Sequence, residues 1–372
     1  MTSLPDLAKD YNNFLRPILY VKVDNKSVSE DTIKYLELEI TSTSGYESSL
    51  CSFKVYGADS KYDYGKGEVE ISEALTKTFE LGKKLDVFLG YGDKDHCKQV
   101  FSGYITSINL EYTGESYVRY LVEAMDAKFL LMNNLRSEAK PDIKKYSDVV
   151  SDVLSGYSAY LGNTTVTATS ELGSPIEQYN QSDYDFIVSI AKKLNYMFYL
   201  YNGDVFFVPY ANDKTPQLEI SPGKYLMRFT REITLDNQIQ SVTVRSNDET
   251  STEQSIEATA SSVSVSVGSG KESGGEVSRI ISDKMQKVVI DTSIKSVEEA
   301  QARAQAELDK ASLKFVTGEF EIIGTPDVEP GKFVSFTYMN SLVNGNYFIT
   351  EVRHLFNKNG YTTVCKFTNN KI

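Results

Sequence analysis

The chain has 372 residues, 41% of them hydrophobic, which excludes a disordered polypeptide and leaves material for two or more folded units. A formal net charge of -12 argues against tight binding to a phosphate backbone, which needs clustered Lys and Arg, so no stable nucleic-acid binding is expected. Cys51, Cys97 and Cys365 contain no Cys-x-x-Cys pair, which points to free thiols and not to a disulfide framework or a zinc knuckle.

Residues 1–128 read as successive strands, in keeping with 25 Tyr and 18 Phe, residues that suit half-buried pleated surfaces. Residues 18–23 lead into the turn-prone Asp24, Asn25 and Lys26. Residues 35–40, 51–56, 85–89 and 117–122 alternate apolar with polar, the period of a strand with one buried face. Strands this frequent, broken by Gly and Asp, predict a barrel or sandwich. Residues 129–212 change to an α+β pattern. Ser147 is the expected N-cap of a helix carrying Val149, Val150, Val153, Leu154, Tyr157 and Leu161 at helical spacing. Ser182 and Asp185 resemble a capping box, Phe186, Ile187, Ile190, Ala191 and Leu194 form an apolar face, and Asn195 fits a left-handed helix end. Asn202-Gly203 between apolar runs predicts a hairpin.

Residues 213–246 read as strands again, 239–244 most clearly. Residues 247–289 are Ser/Gly-rich and read as an exposed excursion or linker, with one weak strand where Val263, Val265 and Val267 alternate with Ser. A helix over 297–311 places Ala300, Ala304, Leu308 and Ala311 on one stripe. Residues 316–367 form a strand meander, punctuated by the type II turn signature Pro330-Gly331 and by Asn344-Gly345 and Asn359-Gly360.

Two meanders echo one another. Ile105, Thr106, Ile108, Tyr112 and Tyr117 share their spacing with Ile349, Thr350, Val352, Phe356 and Tyr361, and strands opening at Lys84 and Lys332 precede them. The expected fold is therefore mainly β with an α+β insertion, and with two similar small β-barrel domains in one chain. The first spans 1–128 and the second combines 213–246 with 290–372, with the inserted domain at 129–212.

Catalytic chemistry finds little support. Asp93, His96 and Cys97 sit too close in sequence to converge on one ion from a strand, so a hairpin tip is expected there and not a metal site. His354 and Cys365 fall on neighbouring predicted strands without a third group to orient them. The run around Gly268, Gly270 and Lys271 lacks the Ser or Thr that a phosphate loop needs after its Lys. Asp183 and Asp185 read as first-turn helix acids. No catalytic, cofactor-binding or metal residues and no cofactor are expected. Nothing reads as a secretory signal or a membrane span.

The run 178–187, with Gln178, Tyr179, Ser182, Asp183, Asp185 and Phe186, resembles a segment of the late control protein D family, which includes phage baseplate hubs and the N-terminal part of type VI secretion spike proteins. Gly324 to Gly331, Asn344 to Tyr347, and Arg353 with His354 resemble the closing barrel of the same hubs. Asn195 stands where the family often has Gly. The resemblance implies tube-type barrels and a non-enzymatic homotrimeric hub, a pseudo-sixfold ring adapting a threefold spike to a sixfold tube. The implied partners are a separate spike protein on one face, a tube or tube-initiator protein on the other, and baseplate wedge components. The implied location is the baseplate of a virion or injection particle, after synthesis in bacterial cytoplasm. The chain ends at Ile372 without room for spike domains, which favours a phage tail, a tailocin or an extracellular injection system over type VI secretion. The alternatives are a tail-associated polysaccharide- or peptidoglycan-acting enzyme, a glycan-binding β protein, or an adaptor ring protein of the same machine.

Overall fold

The computed structural model describes residues 1–29, 33–57, 61–63, 65–66, 68–113, 117–140, 143–171, 176–247, 255–268 and 270–372. Six strands arise from the alternating segments of the first region: β1 (Pro17–Val23), β2 (Ile33–Thr43), β3 (Leu50–Gly57), β4 (Lys84–Tyr91), β5 (Lys98–Thr113) and β6 (Tyr117–Met125). Their pleat turns Leu19, Val21, Phe53, Val55, Leu85, Val87 and Val122 into one core. Every pairing is antiparallel, in the order β2-β3-β6-β5-β4-β1.

The inserted region holds helix α1 (Tyr146–Ser155), helix α2 (Asp183–Leu194) and the hairpin β7 (Tyr196–Tyr201) and β8 (Asp204–Pro209). Ser182 caps α2 by accepting from the Asp185 N–H at 3.0 Å, and its hydroxyl returns 2.6 Å to the Asp185 carboxylate. Asn195 ends α2 at φ 53°, and Asn202 and Gly203 turn the hairpin at φ 52° and 91°, the type I′ pattern. Val149, Val150, Leu154, Phe186, Ile187, Phe198 and Phe207 form a separate core here.

Six further strands follow: β9 (Pro216–Ile220), β10 (Leu226–Ile233), then, beyond β11 (Ser241–Asn247), β12 (Ser255–Ala260), β13 (Gln286–Ile290) and helix α3 (Val297–Ser312), β14 (Val316–Ile323), β15 (Phe333–Phe336), β16 (Gly345–Asn357) and β17 (Gly360–Asn369). Their order is β10-β14-β17-β16-β15-β9, position for position that of the first six. One departure is β9, which lies parallel to β15 whereas β1 is antiparallel to β4.

The correspondence extends to irregularities. A bulge falls at Thr106 in the β5–β6 ladder and at Thr350 in the β16–β17 ladder. At each, the Thr hydroxyl donates across to a backbone carbonyl, of Glu123 at 3.4 Å and of Lys366 at 3.2 Å. A second pair of bulges lies between Tyr35 and Glu37 and between Leu226 and Arg228. Gly82 and Gly331 enter β4 and β15 at φ 81° and 79°, a left-handed turn that a Cβ would strain. Both donate to equivalent carbonyls, Gly82 to Ile105 and Gly331 to Ile349, each at 2.8 Å. Bulges pin register and re-aim strands, so two sequences with little residue identity keep one strand arrangement.

Several expectations need correction. Neither set of strands closes into a barrel among the described residues: the C-terminal half of β16 pairs antiparallel with β2, so both sets belong to one open sheet. The Lys that matches Lys332 is Lys83, not Lys84, because the Ile105 and Ile349 N–H groups donate equivalent backbone bonds to the carbonyls of Lys83 and Lys332. Ser147 lies inside α1, whose N-cap is Lys145; Ser147 and Thr169 instead exchange side-chain-to-backbone hydrogen bonds, at 3.1 and 3.3 Å. The segment 247–289 is not a bare linker. Its described part supplies β12 and β13, which flank β11 under α3, burying Val242, Val244, Ala258, Ala260, Ala300, Ala304 and Leu308 together. Residues 263–267 form no strand. Residues 248–254 and Ser269 of that segment lie outside the described residues, as do the side chains of Tyr112 and Tyr117.

Candidate interaction surface

The residues weighed for chemistry fall into structural roles. Asp93 caps a short turn, accepting from the backbone N–H groups of Asp95 and His96, and its carboxylate meets the His96 ring at 2.6 Å on the exposed surface. Among the described residues no cluster of three or more His, Cys, Asp or Glu could hold a metal ion. His354 contacts the Tyr361 hydroxyl at 2.9 Å and the Thr363 hydroxyl at 3.2 Å, not Cys365. Burial lowers its pKa from 6.5 to about 3, so the ring is neutral near pH 7. Burial also pushes up the thiols of Cys51 and Cys365, which disfavours the nucleophilic thiolate. Asp183 accepts from Tyr157 at 2.6 Å, Asn134 at 2.8 Å and Gln178 at 3.0 Å, which locks the start of α2.

Sequence reasoning missed one buried ionic anchor. Lys128, fully buried, lies 3.9 Å from Asp126 and donates to the backbone carbonyls of Tyr46 at 3.2 Å and of Glu47. The Tyr184 hydroxyl reaches the same Tyr46 carbonyl at 2.9 Å, and the Tyr46 hydroxyl donates to Tyr196 at 3.0 Å. The inserted region is thereby fixed to the turn between β2 and β3. Burial pushes the Lys128 pKa down, with the Asp126 carboxylate pulling the other way.

Two strand edges distinguish the surface. Inside the chain, β16 residues 351–356 pair with β2 residues 38–43, and the core face of the seam is buried: Val352 and Ile40 are 0% exposed, His354 1% and Leu38 3%. The corresponding stretch of β5, from Ser107 onward, pairs among the described residues only with β6, and β10 pairs only with β14. There Leu110 is 52%, Ile233 48% and Met227 50% exposed. Edges of this kind, carrying apolar side chains, offer a template on which another strand can pair.

A sequence-family model described as Alg8 N-terminal domain matches residues 53–358, most of the chain. The chain belongs to the Alg8 N-terminal domain family. This differs from the late control protein D family that the sequence resembles. No curated protein matches this member of the family. In fold it is similar to the 43 kDa tail protein of prophage MuSo2 from Shewanella oneidensis, with a TM-score of 0.69 at 14% identity, covering 95% of this chain and 98% of that one. The tail protein from Neisseria meningitidis MC58 follows at 0.68 and 12%, covering 95% and 97%. The E. coli c3393 protein, described as a component of the type VI secretion system similar to the T4 bacteriophage tail proteins gp27 and gp5, aligns at 0.55 and 10%, covering 94% and 77%. At these identities the likeness establishes a shared fold, that of phage tail proteins. Among the described residues no helix is long and apolar enough to cross a membrane.

Proposed function

We propose that this protein is a structural hub of a contractile injection machine, a homotrimer whose chains each place two equivalent strand units around a channel. The observation that carries this reading is the repetition of one six-strand arrangement with its bulges and entry glycines matched. Three such chains present six equivalent walls to a sixfold tube while keeping a threefold face for a spike. The units proposed for the wall are residues 1–128 and the strands of 213–246 and 290–372, with the insertion at 129–212 on the periphery. The fold shared with phage tail proteins supports placing it in a baseplate. The buried thiols and the neutral His354 support a mechanical role over a catalytic one. Partners are a separate spike protein, a tube or tube-initiator protein and wedge components, and the acidic charge is expected to line the channel.

The test is the mass of the purified chain in solution, alone and mixed with candidate tube and spike proteins. A three-chain species that joins both partners is expected. A monomer at every concentration in both settings overturns the reading.

A further inference from the structure

We propose that the open edge of β13, with the lysines that border it, is a docking groove for an extended segment of another protein, one in which acidic residues alternate with branched aliphatic ones. The strands β11, β12 and β13 belong to neither six-strand set, so the proposal goes beyond the ring and does not depend on it.

In the small sheet β12-β11-β13, β13 is a terminal strand that pairs, among the described residues, only with β11, in parallel. Helix α3 covers β11 and β12 through Ala300, Ala304 and Leu308, and a groove of about 740 Å³ remains between β13 and the end of α3. Its walls carry Lys284 and Lys287 on the β13 side and Lys310 and Lys314 on the α3 side, against one carboxylate, that of Glu307. The whole chain has the opposite balance, 51 Asp and Glu to 39 Lys and Arg. Glu307 is already engaged by Lys287 at 2.6 Å and by Arg303 at 3.0 Å. Lys284, Lys310 and Lys314 are exposed and form no ion pair among the described residues. The groove is thus a local positive field on an acidic molecule.

Strand alternation gives β13 two faces. Lys287 and Val289 lie on the α3 side, where Lys287 bridges to Glu307 and Val289 packs against the core under α3. Val288 and Ile290 lie on the other side, opposite Thr243 and Arg245, and are 55% and 77% exposed. A strand added to β13 continues both faces. Its residues on the α3 side meet the lysines, which selects Asp or Glu there. Its residues on the other side lie beside Val288 and Ile290, which selects Val or Ile. A nucleic acid answers the lysines but supplies neither a backbone ladder for β13 nor aliphatic cover for Val288 and Ile290. The same edge of a second copy would set lysine against lysine, so the occupant is a different, acidic segment.

The experiment measures binding of a short labelled peptide of alternating Glu and Val to the full chain, by fluorescence anisotropy and by amide hydrogen exchange. Comparison probes are a peptide of alternating Lys and Val, the Glu-Val peptide with Pro at its centre, and a DNA duplex of matched length. The Glu-Val peptide is expected to bind about tenfold more tightly than each of these, and more weakly as salt rises. It should slow amide exchange over residues 286–290 and leave 255–260 unchanged. Lys310→Glu with Lys314→Glu should weaken binding about tenfold. Lys26→Glu with Lys358→Glu, an equal charge change on the large sheet, should not. If the α3 pair fails to fold, Lys284→Glu, in the turn before β13, carries the same test. No binding of the Glu-Val peptide overturns the proposal, as does binding without protection of β13 or equal loss from the two charge-reversed pairs. Equal binding of the Pro peptide overturns the strand pairing, and equal binding of the duplex overturns the choice of a protein partner.

Discussion

The two six-strand units share a path and differ in what fills it. The first is packed mostly with aliphatic side chains: Leu38, Val87 and Ala124 stand where the second has Phe229, Phe336 and Phe367. In the second, Phe367 stacks on Phe229 at 5.5 Å and lies 4.7 Å edge-on to Tyr347, while Phe336 meets Phe229 at 4.8 Å. Volume is exchanged across the ladder. Cys51 opposes Ala124 in the first unit, and Gly318 opposes Phe367 in the second, where a Cβ on Gly318 would come within 2.4 Å of the Phe367 ring. The arrangement is thus held by register devices, namely bulges and left-handed glycines, while each unit fills its part of one continuous core with different side chains. Interiors need only the right total volume in the right pattern for this to work.

The largest expected effect breaks the second solution. Phe367→Ala should cost about 3–5 kcal/mol in chemical denaturation, because Gly318 leaves nothing to fill the gap. Ala124→Phe in the first unit should cost about 1–3 kcal/mol through overpacking against Cys51, and adding Cys51→Gly should recover part of it. Full additivity of those two changes would contradict the volume exchange.

Next comes a difference in anchoring. Lys128, just after β6, braces the turn at Tyr46 and Glu47 through their carbonyls, beside Asp126, and it is to this turn that Tyr184 and Tyr196 of the inserted region are hydrogen-bonded. Lys128→Met leaves a buried carboxylate without its cation and should cost about 3 kcal/mol, with α2 amides exchanging faster than those of β14.

His354 makes the units differ in acid. Its folded pKa of about 3 lies below the ordinary 6.5, so the unfolded chain binds the extra proton between those values. Stability from this group is therefore complete above about pH 6.5 and falls as pH drops towards 3, by about 2 kcal/mol at pH 5. His354→Leu, the residue type found at the equivalent position 110, should flatten the loss between pH 7 and pH 5 even though it lowers stability at pH 7. An unchanged slope would show that other groups carry it.

Smaller effects test the register devices. A Cβ on Gly82 would meet open space, whereas one on Gly331 would come within 2.7 Å of the Tyr199 hydroxyl. Gly82→Ala should cost about 1 kcal/mol from backbone strain, and Gly331→Ala more, by thermal unfolding. Thr106→Val and Thr350→Val should each cost about 0.5–1 kcal/mol. Unequal values for the two threonines would mean that the bulges are not interchangeable.

Much of this was legible in the sequence for a physical reason. The bulges fall at Ile-Thr pairs, so residues 105–108 and 349–352 keep the same spacing and the repeat shows through unlike cores. Ser182, Asn195 and Asn202-Gly203 were legible because caps and tight turns depend on a few local groups. Ser147 misled because its partner, Thr169, is set by a loop pairing distant in sequence. The segment after residue 247 looked like a linker by composition, yet α3 and β11 supply the apolar cover that its own residues lack. The open sheet was not legible, since the pairing of β16 with β2 joins residues some three hundred apart in sequence with no local signal. The Lys128 anchor was equally hidden, as nothing local marks a buried lysine.

The most direct test of the central claim is the rotational symmetry of the assembled particle, seen end-on by electron microscopy of the chain with its tube and spike proteins. Two equivalent units per chain predict six similar lobes around the channel where the ring meets the tube, with threefold density outside them. Three lobes at that inner wall, or no closed ring at all, would contradict the claim.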